Sequence, residues 1–259
     1  MANVKQLFDL SGRVSVITGG ATGLGLQMAH ALAEAGSAIV ICSRKLENCE
    51  TAAHEIEKLG VKTLAVGCDV TKADQVEALK EATIKKFARV DVLVNNAGRA
   101  WVAPPEEMPL ERWQQVLDLN ITAPFLCSQV LGREMIKAKR GKVINIASIL
   151  GLVGGGDPGR PATLAYNTSK GGIVSFTRSL AAEWAQHDIN VNAIAPGFFP
   201  TRMTRGILEM IGDEAARKAP LRRIGGPEDL KGVTALLASD ACSFITGQVV
   251  AVDGGVTAV

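Results

Sequence analysis

Short β-branched runs recur along the whole chain, at residues 13–18, 38–43, 63–69, 91–95, 142–147, 190–194 and 248–253, and stretches of helical periodicity separate them. Leu26, Ala29, Leu32 and Ala33 mark one apolar helix face, and Ile56 with Leu59 marks another. Leu79, Ala82 and Ile84 follow, then Val116 with Leu117, then Ile173, Phe176 and Leu180. Apolar residues three and four apart share one side of a helix, whereas short continuous apolar runs read as strands buried on both faces. Strands alternating with helices predict an α/β fold, a parallel sheet with helices on both faces. A ligand of such a sheet sits at the carboxyl ends of the strands, where strand order reverses. No repeat, charge block or low-complexity linker interrupts the pattern, so residues 1–259 read as one domain.

Two segments break the alternation. Residues 151–162 hold five glycines and two prolines and read as loop. Residues 198–227 read as short helix and turn, longer than a routine connection, and connections of that length are usually functional. Both follow strands, so both are expected on the ligand-binding edge.

Composition narrows the partners. The 28 Lys+Arg against 26 Asp+Glu leave a formal net charge of +2, no surplus for a phosphate backbone, so no nucleic acid is expected. The chain is 47% hydrophobic with mean hydropathy +0.18, too apolar for disorder. No apolar run reaches the roughly 18 residues of a membrane span, so no membrane partner is expected. Buried strands and a subunit interface would absorb the excess apolar residues. Cys42, Cys49, Cys68, Cys127 and Cys242 are odd in number and form no C-x-x-C pair, the pattern of reduced thiols in a cytoplasmic protein. The opening residues carry an acid and lack the apolar core of a signal peptide. His30, His54 and His187 are scattered without ligand spacing, so no metal is expected.

The first predicted strand runs into Thr18-Gly19-Gly20-Ala21-Thr22-Gly23-Leu24-Gly25, and a helix follows at once. Glycines let a backbone turn sharply and approach a pyrophosphate, whose charge then meets the free amides of the helix. Met28 stands where G-x-G-x-x-G would place its third glycine, so a plain tight turn is the competing reading. Tyr166 is the only tyrosine, and Lys170 follows it by four residues. On a helix the two share a face, and an ammonium favours the phenolate of a group that ordinarily titrates near 10. That suits a tyrosine general acid/base, and it equally suits a surface pair. Ser148 ends one predicted strand, Asn95-Asn96-Ala97-Gly98 ends the strand before it, and Asn120 lies between them. Singly, Ser148 reads as a strand-end cap and Asn120 as a surface residue. Together with the glycine turn they converge on one crevice.

With these residues in place, the chain resembles the short-chain dehydrogenase/reductase family from Leu10 to Gly255. The resemblance rests on Thr18-Gly19-x-x-x-Gly23-x-Gly25, Asp69, Asn95-Asn96-Ala97-Gly98, Asn120, Ser148 and Tyr166-x-x-x-Lys170. It continues through Asn192-Ala193-Ile194-Ala195-Pro196-Gly197, Gly247 and Asp253-Gly254-Gly255. It implies a seven-stranded, doubly wound Rossmann-type sheet, a nicotinamide dinucleotide, and interconversion of a ketone and a secondary alcohol. It implies that Tyr166 protonates the carbonyl oxygen and that Lys170 holds the nicotinamide ribose and depresses the Tyr166 pKa. It implies also that Ser148 hydrogen-bonds the carbonyl oxygen and that Asn120 holds a water in a proton relay with Lys170. Cofactor contacts are implied for Gly19, Thr22, Gly23, Leu24 and Gly25 at the phosphates, and for Asp69 and Val70 at the adenine. Asn96, with Ala97 and Gly98 beside it, would meet the adenosine half, and Pro196, Gly197, Phe199 and Thr201 the carboxamide side. A homotetramer is implied by the same resemblance.

The resemblance leaves three functions open: reduction of a 3-oxoacyl thioester, oxidoreduction of a sugar acid of the gluconate 5-dehydrogenase type, and a catalytically silent nucleotide-binding regulator. The Phe-x-Thr-x-Met-Thr segment at 199–204 supports the second. The fully occupied set of site roles argues against the third. Carrier-protein docking in the bacterial 3-oxoacyl reductases resembles an arginine pair beside the active-site entrance. Here Lys139, followed by Arg140, and His187 stand at those positions, with less of the fork geometry and charge. Ser148 and Tyr166 are 18 residues apart, longer than in most relatives, so the 151–162 loop is expected to bulge into or over the substrate pocket.

The second predicted strand ends Ser43-Arg44-Lys45, with no acid until Glu47. An acid there would accept from a ribose 2′-hydroxyl and repel a 2′-phosphate. Cations and a hydroxyl instead favour the phosphate, so NADP(H) is the expected cofactor, with NAD(H) as the second choice. Against this, Thr22 stands in the glycine turn where some NADP-using relatives carry a base. Arg99, Arg160, Arg202 and Arg205 fall on segments expected to border the pocket, with Trp101 nearby, and point to a small anionic carbonyl or alcohol substrate. A solvated rim is the competing reading.

Overall fold

The seven apolar runs are strands because each supplies a side chain to both faces of one sheet. In the computed structural model, which describes residues 1–154 and 162–259, the chain begins with α1 (Val4–Phe8), β1 (Val14–Thr18), α2 (Gly23–Glu34) and β2 (Ala38–Ser43). It continues with α3 (Leu46–Glu57), β3 (Thr63–Gly67), α4 (Ala73–Phe87) and β4 (Val92–Asn95). Next come α5 (Leu110–Leu117), α6 (Ala123–Ala138), β5 (Gly141–Ile146) and α7 (Leu164–Trp184). Last are β6 (Ile189–Pro196), α8 (Arg205–Lys218), α9 (Lys231–Ala238) and β7 (Val249–Val252). The strands form one parallel sheet in the order β3-β2-β1-β4-β5-β6-β7.

Alternate residues divide between two apolar layers. Ile17, Ile39 and Ile41 pack with Met28 and Leu32 on one face, and Val16, Val40 and Leu93 pack with Leu79 and Leu131 on the other. Burying each such side chain contributes about 1.5–3 kcal/mol, so a one-residue slip of register would be strongly opposed. The strand order reverses between β1 and β4, which opens a crevice at their carboxyl ends.

Two readings of the helical stretches are corrected by the structure. Helix α3 ends at Glu57, so Leu59 belongs to no helix face and is 42% exposed. The 198–227 segment is more ordered than short helix and turn: it contains the 14-residue α8, which buries only Ala215 and so lacks a strong apolar stripe. Between α5 and α6 the helix widens into a single π-helical stretch, Asp118–Thr122, a local distortion often found at functional sites. Among the described residues no helix is long and apolar enough to cross a membrane.

Candidate active site

The glycine turn is shaped by contact as well as by dihedral angle. Gly19 and Gly23 take φ of +62° and +58°, a region that side chains disfavour. A Cβ on Gly25 would lie 2.4 Å from the Gly19 carbonyl oxygen and 2.5 Å from Asn96 Nδ2. Gly25 therefore sits under the turn and lets it close, rather than facing the crevice. Asn96 Nδ2 donates to the Thr18 and Gly19 carbonyls at 3.0 and 3.1 Å, and Thr18 Oγ1 accepts from the Asn96 and Ala97 amides at 3.0 and 3.1 Å. These bonds tie the end of β1 to the end of β4. Thr22, at the N-cap of α2, makes no side-chain cap bond, so the first amides of α2 keep their capacity to bind an anion. The turn fits a diphosphate: it offers the uncapped first amides of α2 beside two cleft-lining glycines, Gly19 and Gly23, at positive φ.

A cleft of about 570 Å³ follows the carboxyl ends of the strands. Gly19, Thr22, Gly23 and Leu24 line its middle with Asn96, Ala97 and Gly98. At the β2–β3 end it is lined by Ser43, Arg44, Asp69 and Val70, and at the β5–β6 end by Ser148, Tyr166, Lys170, Pro196, Gly197, Phe199 and Thr201. Burial pushes the Asp69 carboxyl up, but bonds from Thr71 Oγ1 (2.8 Å) and Thr71 N (3.1 Å), with the Arg44 and Lys72 charges, hold it below its ordinary range. Arg44 is exposed at this end of the cleft. Lys45 is not on the cleft; it precedes α3 and faces solvent. Ser43 Oγ is already committed, at 3.1 Å from the Lys45 carbonyl and 3.0 Å from Cys49 Sγ.

Helix α7 carries Tyr166 and Lys170 on one face. Lys170 is 4% exposed; its Nζ donates to the Ile146 carbonyl at 2.6 Å and lies 5.6 Å from the centre of the Tyr166 ring. Burial holds this ammonium down at about 8. Burial also pushes the Tyr166 phenol above its ordinary value, while a hydrogen bond with Ser148 pulls the other way. Loss of water around the phenol outweighs the Ser148 bond, and the expected depression by Lys170 is not among the causes. Ser148 Oγ accepts from Leu150 N at 3.2 Å, so the residue is both a cap and a wall of the cleft. The close pass of the chain at Gly151, where a Cβ would lie 2.5 Å from the Lys170 carbonyl carbon, presses this segment against α7.

Asn120 is 1% exposed rather than on the surface. Its Oδ1 accepts from Arg99 N, and its Nδ2 donates to Arg99 O and Ser169 Oγ, each at 2.9 Å. The side chain is committed to positioning the segment after β4 against α7. Arg99 acts here through its backbone, and Trp101 lies under the Arg112 guanidinium at 4.4 Å; neither lines the cleft. Arg160 lies outside the described residues, as does most of the 151–162 loop. Lys139 and Arg140 precede β5 and His187 precedes β6, at the strand edge opposite the cleft. They do not border its entrance as the resemblance implied.

Sequence reasoning missed Cys42, Cys68, Leu119, Ile146, Ala147, Met203 and Thr204 as lining residues. Cys42, Ile146 and Ala147 are at strand ends, the signal that found Ser148. All five cysteines are free and buried.

A family model described as Enoyl-(Acyl carrier protein) reductase matches residues 19–257. A 3-oxoacyl-[acyl-carrier-protein] reductase of Synechocystis sp. is 38% identical over 248 residues, 95% of this chain and 97% of that protein. A short-chain type dehydrogenase/reductase from Mycobacterium marinum superposes with a TM-score of 0.93 at 36% identity, covering 98% of this chain and 99% of the other. A gluconate 5-dehydrogenase from Burkholderia cenocepacia, solved in complex with NADP and tartrate, gives 0.93 at 34% identity, over 99% of this chain and 100% of the other. The seven-stranded parallel sheet agrees with these likenesses, and the chain belongs to the short-chain dehydrogenase/reductase family of oxidoreductases.

Proposed function

We propose that this chain is an NADP(H)-dependent ketoreductase that interconverts a ketone and a secondary alcohol. The observation that carries the reading is the convergence of Ser148, Tyr166 and Lys170 on one end of a cleft whose middle is a diphosphate cradle. The dinucleotide supplies or accepts the hydride when bound. The Ser148 hydroxyl orients the carbonyl oxygen toward Tyr166. The Tyr166 phenol, which burial pushes above its ordinary value, donates its proton to that oxygen during reduction. Lys170, charged below about 8, holds the ribose and offsets the charge left on the phenolate. Asn120 positions this group through Ser169 and Arg99.

Arg44 would bind the 2′-phosphate, with Asp69 and Val70 at the adenine. Hydrogen bonds to a charged group are worth about 1.5–3 kcal/mol, so a preference for NADPH of about tenfold or more is expected. Arg44→Asp should erase or reverse it in steady-state kinetics with both cofactors; a wild-type chain favouring NADH would refute the assignment.

For the substrate, a 3-oxoacyl-type ketone is the first reading, in line with the Synechocystis relative. The second is a sugar acid, favoured by the position of Lys139, Arg140 and His187 on the far edge, away from the cleft. A panel of 3-oxoacyl thioesters and keto-sugar acids, followed by NADPH oxidation, separates them by kcat/KM. We read the chain as one cytoplasmic domain that assembles as a homotetramer, in line with its family and its mean hydropathy of +0.18.

A further inference from the structure

Among the described residues, three cations line the cleft: Arg44, Lys170 and Arg202. Lys170 is buried against the Ile146 carbonyl at one end. Arg44 is close enough to Asp69 at the other end to lower that carboxyl. The glycine turn between them carries no cation, since Thr22 stands where a base would. A bound diphosphate would bring two negative charges to this uncharged middle, and the α2 amides offset them only in part. Arg202 is exposed and makes no ion pair with any described residue. The residue before it, Thr201, faces the glycine turn, because a Cβ built on Gly23 would lie 3.6 Å from Thr201 Cβ and Cγ2. Thr201 is itself fixed by Thr204, whose Oγ1 accepts from Thr201 N at 2.9 Å. The segment between β6 and α8 thus forms the wall across from the uncapped start of α2.

We propose that Arg202 is a cofactor-binding residue that holds the diphosphate of the dinucleotide from the side opposite the α2 N-terminus, rather than a substrate carboxylate. This rests on the dinucleotide reading above, but not on the choice between NADP(H) and NAD(H), because both carry the same diphosphate.

The test is direct titration of the cofactor-free protein with NADPH, NADH and 2′-AMP, followed by nicotinamide fluorescence or calorimetry, with wild type, Arg202→Gln and Arg202→Lys. A charged hydrogen bond at an exposed position predicts that Arg202→Gln weakens NADPH and NADH by one common factor of about 5–20, leaving their ratio unchanged. Arg202→Lys should recover part of the loss, because lysine restores charge without the fork. Binding of 2′-AMP, which lacks the diphosphate, and substrate KM at saturating cofactor should both stay within about twofold. Unchanged dinucleotide affinity in Arg202→Gln overturns the proposal, and a rise in substrate KM alone assigns the guanidinium to an anionic substrate instead. Loss of NADPH affinity without loss of NADH affinity also overturns it, placing Arg202 at the 2′-phosphate. A wild-type chain with equal affinity for both dinucleotides defeats the Arg44 assignment and leaves the common-factor result intact; binding of neither defeats both.

Discussion

Replacing Lys170 with methionine should abolish turnover and, in the same molecule, remove a specific pH dependence from the stability of the fold. Lys170 is 4% exposed, and burial brings its ammonium down from 10.5 to about 8. In the unfolded chain the amine regains its ordinary value, so between these two pH values the unfolded state holds a proton that the folded state has released. Stability therefore rises with pH across that window. Below it both states are charged and the folded state bears the full cost of a buried cation; above it both are neutral and the cost is gone. At about 1.4 kcal/mol per pKa unit the whole effect is ~3 kcal/mol, of which about 2–3 kcal/mol falls between roughly pH 7 and pH 10. Methionine fills similar space without titrating. It also leaves the Ile146 carbonyl without its 2.6 Å partner, a cost that does not vary with pH. Urea unfolding of both proteins across this range gives the test. The stability of wild type minus that of Lys170→Met should climb by about 2–3 kcal/mol. Parallel curves would refute the claim that burial is what holds this amine down.

Three other outcomes are expected. Tyr166→Phe keeps the packed ring but removes the transferable proton, so kcat should fall by about 10²–10⁴ with cofactor affinity nearly unchanged; retention of more than about half the turnover would sink the assignment. Gly25→Ala forces a methyl against the Gly19 carbonyl and Asn96 Nδ2, and should cost about 1–3 kcal/mol along with dinucleotide affinity, measured by unfolding and titration. Its control is Gly212→Ala in α8, where a Cβ meets nothing within 4 Å and a gain of about 0.5–1 kcal/mol is expected. If the substrate is anionic, its neutral amide or ester should show a lower kcat/KM; equal values for both forms would remove that idea.

Strand positions were legible because burial on both faces of a parallel sheet leaves a one-dimensional trace: Ala38–Ser43 is β2 as read, and the 142–147 run is β5 moved by one residue. The glycine turn, Ser148 and the Tyr166–Lys170 spacing were legible for a similar reason, since turn chemistry and the i,i+4 rule act within a few residues. Helix α8 was not, because it buries a single residue and so leaves no periodic trace. Other features needed the tertiary structure because they are contacts between distant segments. Gly25 matters through Asn96, 71 residues away, and Asn120 through the Arg99 backbone and Ser169. Lys45 and Ser43 read as phosphate ligands by adjacency to Arg44, yet the start of α3 turns one to solvent and engages the hydroxyl of the other. The ionisation of Tyr166 and Lys170 followed the same division. Their spacing announced that they would meet, but only the surrounding packing decided that loss of water, not their mutual charge, would dominate both pKa values.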